Sequence, residues 1–150
     1  DIINISNKVK ELRTRLDVCV VVDTLKYLEK GGRINKTSLV MGTLLDIKPV
    51  LTINKGIIDT IGKIRGTKKV FNKLVDYIKE GDIDLEKPYY VVHSSNESKI
   101  KELVEYLKQN LGVGEPELTS ELGAVIGTHI GPGVLAVFYH TKKVLDVYDD

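Results

Sequence analysis

Apolar residues recur along three parts of the chain with the spacing of one helical face. Residues three or four apart fall on the same side of a helix, so each run predicts an amphipathic helix. The first run consists of Ile2, Ile5, Val9, Leu12 and Leu16. The second run consists of Val70, Phe71, Leu74, Val75, Tyr77 and Ile78, followed by Gly81. The third run consists of Ile100, Leu103, Val104 and Leu107, followed by Gly112.

Short apolar runs between these helices predict strands. Residues 18–22 form an unbroken apolar run rich in β-branched residues, which is typical of a central strand buried on both faces. Residues 47–53 and 57–64 flank Asn54, Lys55 and Gly56, which predicts a hairpin with a three-residue turn. Further strands are predicted over residues 88–93, 112–118, 134–139 and 144–148. Two shorter helices are predicted over residues 24–30 and 35–45.

Two local signals predict the position of one strand in the sheet and the start of one helix. Pro49 has no amide hydrogen to donate, which predicts that the first hairpin strand lies near an edge of the sheet. Ser94 and Glu97 have the spacing of a capping box and predict that the third helix begins just after Ser94. Residues 123–133 are rich in glycine and are expected to form a mixed, loop-like segment.

The alternation of strands with helices, together with a hairpin, predicts an α/β fold with a mixed β-sheet covered by helices. A chain of 150 residues can bury a core of its own, and no linker or repeat divides it. We therefore expect a single domain over residues 1–150. The chain begins at Asp1 rather than at a methionine, so we expect it to be a piece of a longer protein.

Charge and composition exclude several kinds of partner. The 22 basic and 21 acidic residues leave a net charge of +1, which argues against nucleic acid and anionic membranes. No apolar run approaches the roughly 18 residues that cross a bilayer, so we expect no membrane insertion and a cytoplasmic protein. The single cysteine, Cys19, lies in a predicted buried strand, which favours a core residue over a reactive thiol.

The segment LKYLEKGGRI contains the first candidate site. Gly31 and Gly32 permit a sharp turn at the end of a short helix, and Arg33 follows them directly. A guanidinium held at such a turn is suited to bind a carboxylate or a phosphate. The alternative is an ordinary helix end followed by a solvated arginine.

The segment GTHIGPG contains the second candidate. Glycines around His129 allow a ligand to approach the backbone closely, and Pro132 stiffens the turn between Gly131 and Gly133. His129 can donate a hydrogen bond to an anion or transfer a proton. A structural histidine in a turn explains the same residues.

The segment KIRGTKK contains the third candidate. Lys63, Arg65, Lys68 and Lys69 concentrate positive charge before a predicted helix, which suits a phosphate or an acidic protein surface. A solvated basic loop is the alternative. Three histidines far apart in the sequence, with no paired cysteines, make a metal site an unfavoured prediction.

Four blocks in order carry a family resemblance: DTLKYLEKGGRI, LLDIKPVLTINKGII, KIRGTKK and THIGPGVLAVFY. Together they resemble the carboxy-terminal half of the DegV family of bacterial fatty-acid-binding proteins, over essentially the whole chain. The resemblance implies a DegV-like carboxy-terminal domain whose amino-terminal lipid-binding domain is absent from this sequence. It also implies a long-chain fatty acid as the bound ligand and no cofactor.

The resemblance assigns roles to particular residues. His129 is expected in the hydrogen-bond network around the acyl carboxylate, with Arg33 close to the head group and Gly131 and Gly133 beside the ligand. The residues expected in the wall around the acyl tail, where core packing explains them equally well, are Leu39, Met41, Leu44 and Leu45. The surface expected to meet a fatty-acid kinase, which phosphorylates the bound acid, comprises Arg33, Arg65, Lys68 and Lys69.

Two other functions remain open at this point. The family is similar in general architecture to the substrate domains of dihydroxyacetone kinases, which implies that His129 could hold a small ketone covalently. Alternatively, the basic residues form a module that only binds an acidic partner. In the leading hypothesis the chain is part of a carrier and is not itself an enzyme.

Overall fold

The computed structural model of the protein describes residues 1–34, 47–66 and 69–145. The helices of this part are α1 (Ile2–Arg13), α2 (Lys26–Lys30), α3 (Val70–Glu80), α4 (Ile100–Leu111) and α5 (Ala124–Ile130). The strands are β1 (Leu16–Val21), β2 (Ile47–Asn54), β3 (Ile57–Arg65), β4 (Tyr89–Ser94), β5 (Leu118–Glu121) and β6 (Val134–His140).

The six strands form one sheet in the order β3-β2-β1-β6-β4-β5. Neighbouring strands are antiparallel except β4 and β5, which are parallel. This confirms the predicted α/β fold with a mixed sheet. The central pair is β1 and β6, whose register aligns Leu16 with His140 and Val21 with Leu135.

The two faces of the sheet carry separate apolar clusters. On one face, alternate residues of β1 and β6 such as Cys19 and Val137 pack with α3 and α4 in the larger cluster. On the other face, Val20 and Ala136 pack with the smaller cluster, which includes Leu25 and Leu28 around α2. Because side chains alternate along a strand, one unbroken apolar run serves both clusters, as predicted for residues 18–22.

Helix α1 differs from its prediction in two respects. The helix ends at Arg13, and Leu16 belongs to β1 rather than to the helical stripe. No residue of α1 is buried, and Ile2 is 81% exposed. The periodic pattern therefore predicted the helix correctly, but its apolar stripe is not covered by the rest of the described chain.

The hairpin of β2 and β3 has a tighter turn than predicted. Asn54 pairs with Ile57, so the turn contains only Lys55 and Gly56. Both residues have positive φ, at 48° and 74°, the combination that a two-residue hairpin turn requires. Asn54 was wrongly assigned to the turn because an asparagine is equally suited to a turn and to the end of a strand.

Pro49 was predicted to mark a strand near an edge of the sheet, and its strand is in fact next to the edge strand β3. Its strand, β2, lies between β3 and β1. Pairing of β2 with β1 begins only at Val50, so Pro49 is outside that ladder, and its carbonyl accepts a hydrogen bond from the Val22 amide at 3.1 Å. The amide and the carbonyl of one residue point the same way in an antiparallel strand, so the missing amide of Pro49 faces β1, and the ladder between β1 and β2 stops at Val50.

The predicted capping box is not formed. Ser94 is the last residue of β4, and a 3₁₀ turn over Glu97–Lys99 precedes α4. The turn is fixed by the Asn96 amide, which donates to Nδ1 of His93 at 3.3 Å. Helix α4 therefore begins later than predicted, although it ends at the expected Gly112, which has a left-handed conformation.

Three segments near the carboxy-terminal end also differ from expectation. Residues 124–130 form α5 rather than a loop. The strand predicted over residues 112–118 is found only at Leu118–Glu121. In the strand predicted over residues 144–148, residues 144 and 145 are irregular and residues 146–150 lie outside the described chain. The helix predicted over residues 35–45 also lies outside it.

Candidate ligand-binding site

A cavity of about 350 Å³ lies on the sheet face that carries the smaller cluster. Its described walls come from β1, β2, β3 and β6 below and from α2 and α5 above. Apolar side chains form nearly all of these walls: Val18, Val20, Leu28, Leu51, Ile53, Ile58, Leu122, Val125, Ile126, Ile130, Val134, Ala136 and Phe138. The polar side chains among the described lining residues are Arg33, Thr52 and His129.

The turn after α2 positions Arg33 at this cavity. The amide of Gly32 donates to the carbonyl of Glu29 at 2.9 Å, and the amide of Arg33 donates to the carbonyl of Leu28 at 2.8 Å. Gly32 has a φ of +68°, so these bonds form the double closure of a helix end that favours glycine. The Arg33 guanidinium also donates to the Gly31 carbonyl, which holds the side chain close to the turn.

His129 lies in the last turn of α5, not in a loop as predicted. Gly127 and Gly131 bracket this turn, because the Gly131 amide donates to the Gly127 carbonyl at 2.8 Å. Helices α2 and α5 pack against each other, and a Cβ added to Gly31 would overlap Nδ1 of His129. The first glycine of the Gly-Gly pair thus gives room for the imidazole, and the second permits the turn.

The structure brings Arg33 and His129 to one cavity, from positions 96 residues apart in the sequence. Gly131 and Gly133 are not among the residues that line it. Gly131 lies against the ring of Tyr27, and Gly133 lies against the carboxylate of Asp23. The role of both glycines beside a ligand remains a prediction, whereas their close packing is observed.

The wall that was predicted for an acyl tail cannot be compared directly with the cavity. Leu39, Met41, Leu44 and Leu45 lie outside the described residues. The described wall comes mainly from strands and from α5, which sequence reasoning did not assign to the site. The alternation within residues 18–22 was the available signal, because every second residue of a central strand must face the side opposite the main helices.

The basic residues lie at the same end of the sheet as Arg33 and His129. Strand β3 ends at Arg65, and β1 leads into α2 at that end, because both strands run antiparallel to β2. Strand β6 is antiparallel to β1 and begins at this end, directly after α5. Arg65 and Lys69 are exposed and do not line the cavity, and Lys68 lies outside the described residues.

Other candidate groups have structural roles. Cys19 is 1% exposed, and burial, assisted by Asp17, raises the pKa of its thiol to about 12. His93 is buried, and its Nδ1 accepts the Asn96 amide. Within residues 1–34, 47–66 and 69–145, no three histidine, cysteine or carboxylate side chains are grouped closely enough to hold a metal ion.

The fold and the cavity together define an α/β domain with an apolar, partly open cavity among its described residues. A family model described as "Uncharacterised protein, DegV family" matches residues 1–142. The chain therefore belongs to the DegV family, as its sequence blocks predicted. None of the helices in the described chain is long and apolar enough to span a bilayer.

Comparison with individual proteins gives the same result. A DegV domain-containing protein of Clostridium acetobutylicum is 37% identical over 144 residues, covering 92% of this chain and 49% of the relative. The solved structure of a fatty-acid-binding DegV family protein from Streptococcus agalactiae has a TM-score of 0.74 and 33% identity, covering 95% of this chain and 50% of that one.

A further solved structure has a similar fold. The fatty acid kinase B3 protein of Streptococcus pneumoniae, solved with linoleic acid, has a TM-score of 0.81 at 18% identity, covering 95% of this chain and 50% of that one. The chain thus spans about half the length of the relatives that it matches.

Proposed function

We propose that the cavity beneath α2 and α5 binds the tail of a long-chain fatty acid, with the carboxylate at the end formed by Arg33 and His129. The observation that carries this proposal is the composition of the walls. Apolar side chains surround a space with one charged and one titratable group among its described lining residues. This distribution of wall residues is complementary to an amphiphile with a single polar end.

The energetics favour the same ligand. Each methylene removed from water contributes about 0.8 kcal/mol, so a long acyl tail obtains most of its affinity from the apolar wall. Arg33 offers a planar set of donors that matches a carboxylate, and His129 supplies a further donor. The Streptococcus agalactiae relative is described as fatty-acid-binding, which supports this assignment.

A binding role is favoured over covalent chemistry at His129. The described lining of the cavity contains no aspartate or glutamate that could orient the imidazole as a nucleophile or base. Gly31 instead packs directly against its Nδ1. We therefore propose a cytoplasmic carrier rather than an enzyme, with the rest of the longer protein completing the site over the open side.

The finer part of the proposal is that the bound acid is presented to a fatty-acid kinase. Arg65 and Lys69 are exposed at the sheet end that also carries Arg33 and His129. A kinase docked on this basic surface would therefore reach the carboxylate end of the ligand rather than its tail. Charge complementarity at such a surface favours an acidic partner.

The test of acyl binding is mass spectrometry of lipids extracted from the gently purified full-length gene product. Val125 lines the cavity and is 79% exposed, so Val125→Glu places a charge at the acyl tail without disturbing the core. We expect this variant to lose at least about nine-tenths of its bound fatty acid, since a desolvated carboxylate is strongly unfavourable. Ile57→Glu, at an exposed site outside the cavity, is the matched control.

Recovery of no fatty acid from the unmodified protein would refute the proposal, as would equal loss in both variants. The kinase step has a separate test. Arg65→Glu is expected to abolish binding of the kinase while acyl loading stays unchanged. If kinase binding persists in Arg65→Glu, the docking surface lies elsewhere. The proposal of acyl binding still stands in that case.

A further inference from the structure

Helix α1 carries an apolar stripe that becomes steadily more exposed toward the start of the helix. Ile2, Ile5, Val9 and Leu12 fall on one side of α1, because they are three or four residues apart. The exposed fraction is 81% at Ile2, 63% at Ile5 and 56% at Val9, whereas Leu12 is half-buried. The stripe therefore leaves the domain at Leu12 and faces open space beyond it.

The second half of α1 attaches the helix to the domain. Leu12 borders a cleft that is also lined by His140, at the end of β6. That strand begins directly after the helix of His129, so the cleft lies at the other end of the sheet from the acyl site. The amide of Leu145 donates to the carbonyl of Thr14 at 2.7 Å, which fixes the chain just after α1.

The first half of α1 needs a partner to remain helical. Isolated helices of fewer than about 12–15 residues are marginal in water even when they are rich in alanine, and α1 has 12 residues. Three isoleucines and a valine weaken it further, because β-branched side chains lose rotamer freedom in a helix. The Lys8–Glu11 ion pair at 2.8 Å is exposed and contributes little. Burial of the apolar stripe is therefore the contribution that would stabilise this helix.

We propose that the stripe of Ile2, Ile5 and Val9 is the surface through which α1 binds the other half of the longer protein. The relatives are about twice the length of this chain, so each contains a further part of comparable size in the same polypeptide. The proposal does not depend on acyl binding, because none of the three residues is among the described lining residues of the cavity beneath α2 and α5.

The size of the stripe favours a covalently joined partner over a second copy of the chain. The exposed parts of the three side chains amount to on the order of 250 Å² of apolar surface. A stable interface between separate molecules buries about 800 Å² on each partner. A segment of the same polypeptide is present at a high effective concentration, so a smaller contact is sufficient.

The residues of α1 also favour a protein surface over a lipid surface. Helices that lie in a bilayer interface combine a strongly charged face with tryptophan, phenylalanine or leucine on the apolar face. The exposed part of this stripe contains isoleucine and valine, and the uncharged Asn7 lies on the opposite side of the helix. An apolar protein surface is the better match for such a helix.

The experiment is photo-crosslinking of the full-length gene product with p-benzoylphenylalanine in place of Val9. On irradiation its ketone reacts with nearby C–H bonds, and the joined peptides are identified by mass spectrometry after proteolysis. We expect crosslinks within one molecule, to peptides outside residues 1–150. The same amino acid in place of Asn7, which is exposed on the opposite side of α1, is the matched control and should not give these crosslinks.

Thermal unfolding of the full-length gene product gives a second readout. Ile5→Glu is expected to lower the melting temperature by about 4 °C or more, because a carboxylate is unfavourable against apolar surface. Asn7→Glu adds the same charge on the opposite side of α1 and should leave the melting temperature unchanged. If Ile5→Glu does not fold, Ile5→Ser takes its place.

Equal melting temperatures of Ile5→Glu and Asn7→Glu would overturn the proposal. Crosslinks confined to residues 1–150 would also overturn it. Crosslinked dimers would assign the stripe to a second copy instead, and crosslinks to co-purified lipid would assign it to a membrane surface.

Discussion

Gly31 and His129 are in direct contact, and this contact joins two segments that are far apart in the chain. No side chain fits between the end of α2 and the last turn of α5, because a Cβ at position 31 would overlap the imidazole. The end of the cavity that carries Arg33 and His129 therefore depends on the absence of a side chain at position 31.

The first prediction concerns Gly31→Ala. The added methyl group must displace His129 or separate α2 from α5, and overpacking of this kind costs about 1–3 kcal/mol. We expect a lower free energy of unfolding in urea and altered NMR signals of the His129 ring. Gly114→Ala is the control, because a Cβ there meets no atom within 4 Å. Unchanged His129 signals in Gly31→Ala would show that the contact is not restrictive.

The second prediction concerns the partly buried hydrogen bonds of Asp17. Its carboxylate accepts the Tyr139 hydroxyl at 3.0 Å, the Thr52 hydroxyl at 3.1 Å and the Val18 amide at 2.7 Å. Hydrogen bonds to a charged group contribute about 1.5–3 kcal/mol. We expect Tyr139→Phe to lower the free energy of unfolding by about 1.5 kcal/mol.

Asp17→Ala is expected to be more destabilising than Tyr139→Phe, because it leaves two hydroxyls and an amide without their acceptor. The two effects should not add in the double variant, since both remove the same bond. Additive losses in urea denaturation would mean that the Tyr139–Asp17 bond contributes nothing measurable.

The third prediction is a pH dependence due to His140. Burial holds its pKa in the folded state below the ordinary value of 6.5, so the unfolded chain takes up the proton first as the pH falls. The contribution of His140 to the free energy of unfolding is complete above about pH 6.5. It is lost progressively as the pH falls from that value toward the lower pKa of the folded state.

We therefore expect the free energy of unfolding to fall between pH 7.5 and 5.5 in phosphate-free buffer. His140→Gln should flatten the profile in this range, whereas His129→Gln serves as the control for histidine replacement. A profile as steep in His140→Gln as in the unmodified protein would contradict the prediction.

The fourth prediction concerns the reactivity of Cys19. Burial raises the pKa of its thiol to about 12, and only the thiolate is an efficient nucleophile. We expect negligible alkylation by iodoacetamide at pH 8 in the folded protein and complete alkylation in urea, measured by intact mass. Rapid labelling without denaturant would show that β1 opens readily.

The sequence predicted the parts of the fold that depend on periodicity. The stripes over α3 and α4 and the apolar runs of β1 and β6 matched the structure, because burial on one or both faces imposes a fixed spacing. Boundaries were less predictable. Asn54 and Ser94 suit both a turn or cap and a strand end, and only the pairing of neighbouring strands decides between them.

In the sequence, glycines pointed to the candidate site, whereas the residues that form its walls did not. Gly31 and Gly32 pointed to Arg33 because a helix end of this type has a sequence signature. The wall formed by Val20, Leu51 and Ala136 has no local signature, since its members come from three strands that meet only in the folded sheet. Helix α5 was missed because its glycines obscured a helical pattern.

The sheet has consequences for how such a domain can change during evolution. Residues of β6 that face α3 and α4, such as Val137 and Tyr139, are packed into the larger core. Those on the other face, such as Ala136 and Phe138, border the open cavity. Substitutions on the cavity side alter the shape offered to a ligand without repacking the main core. One strand can therefore preserve the fold while its alternate positions diverge to suit different ligands.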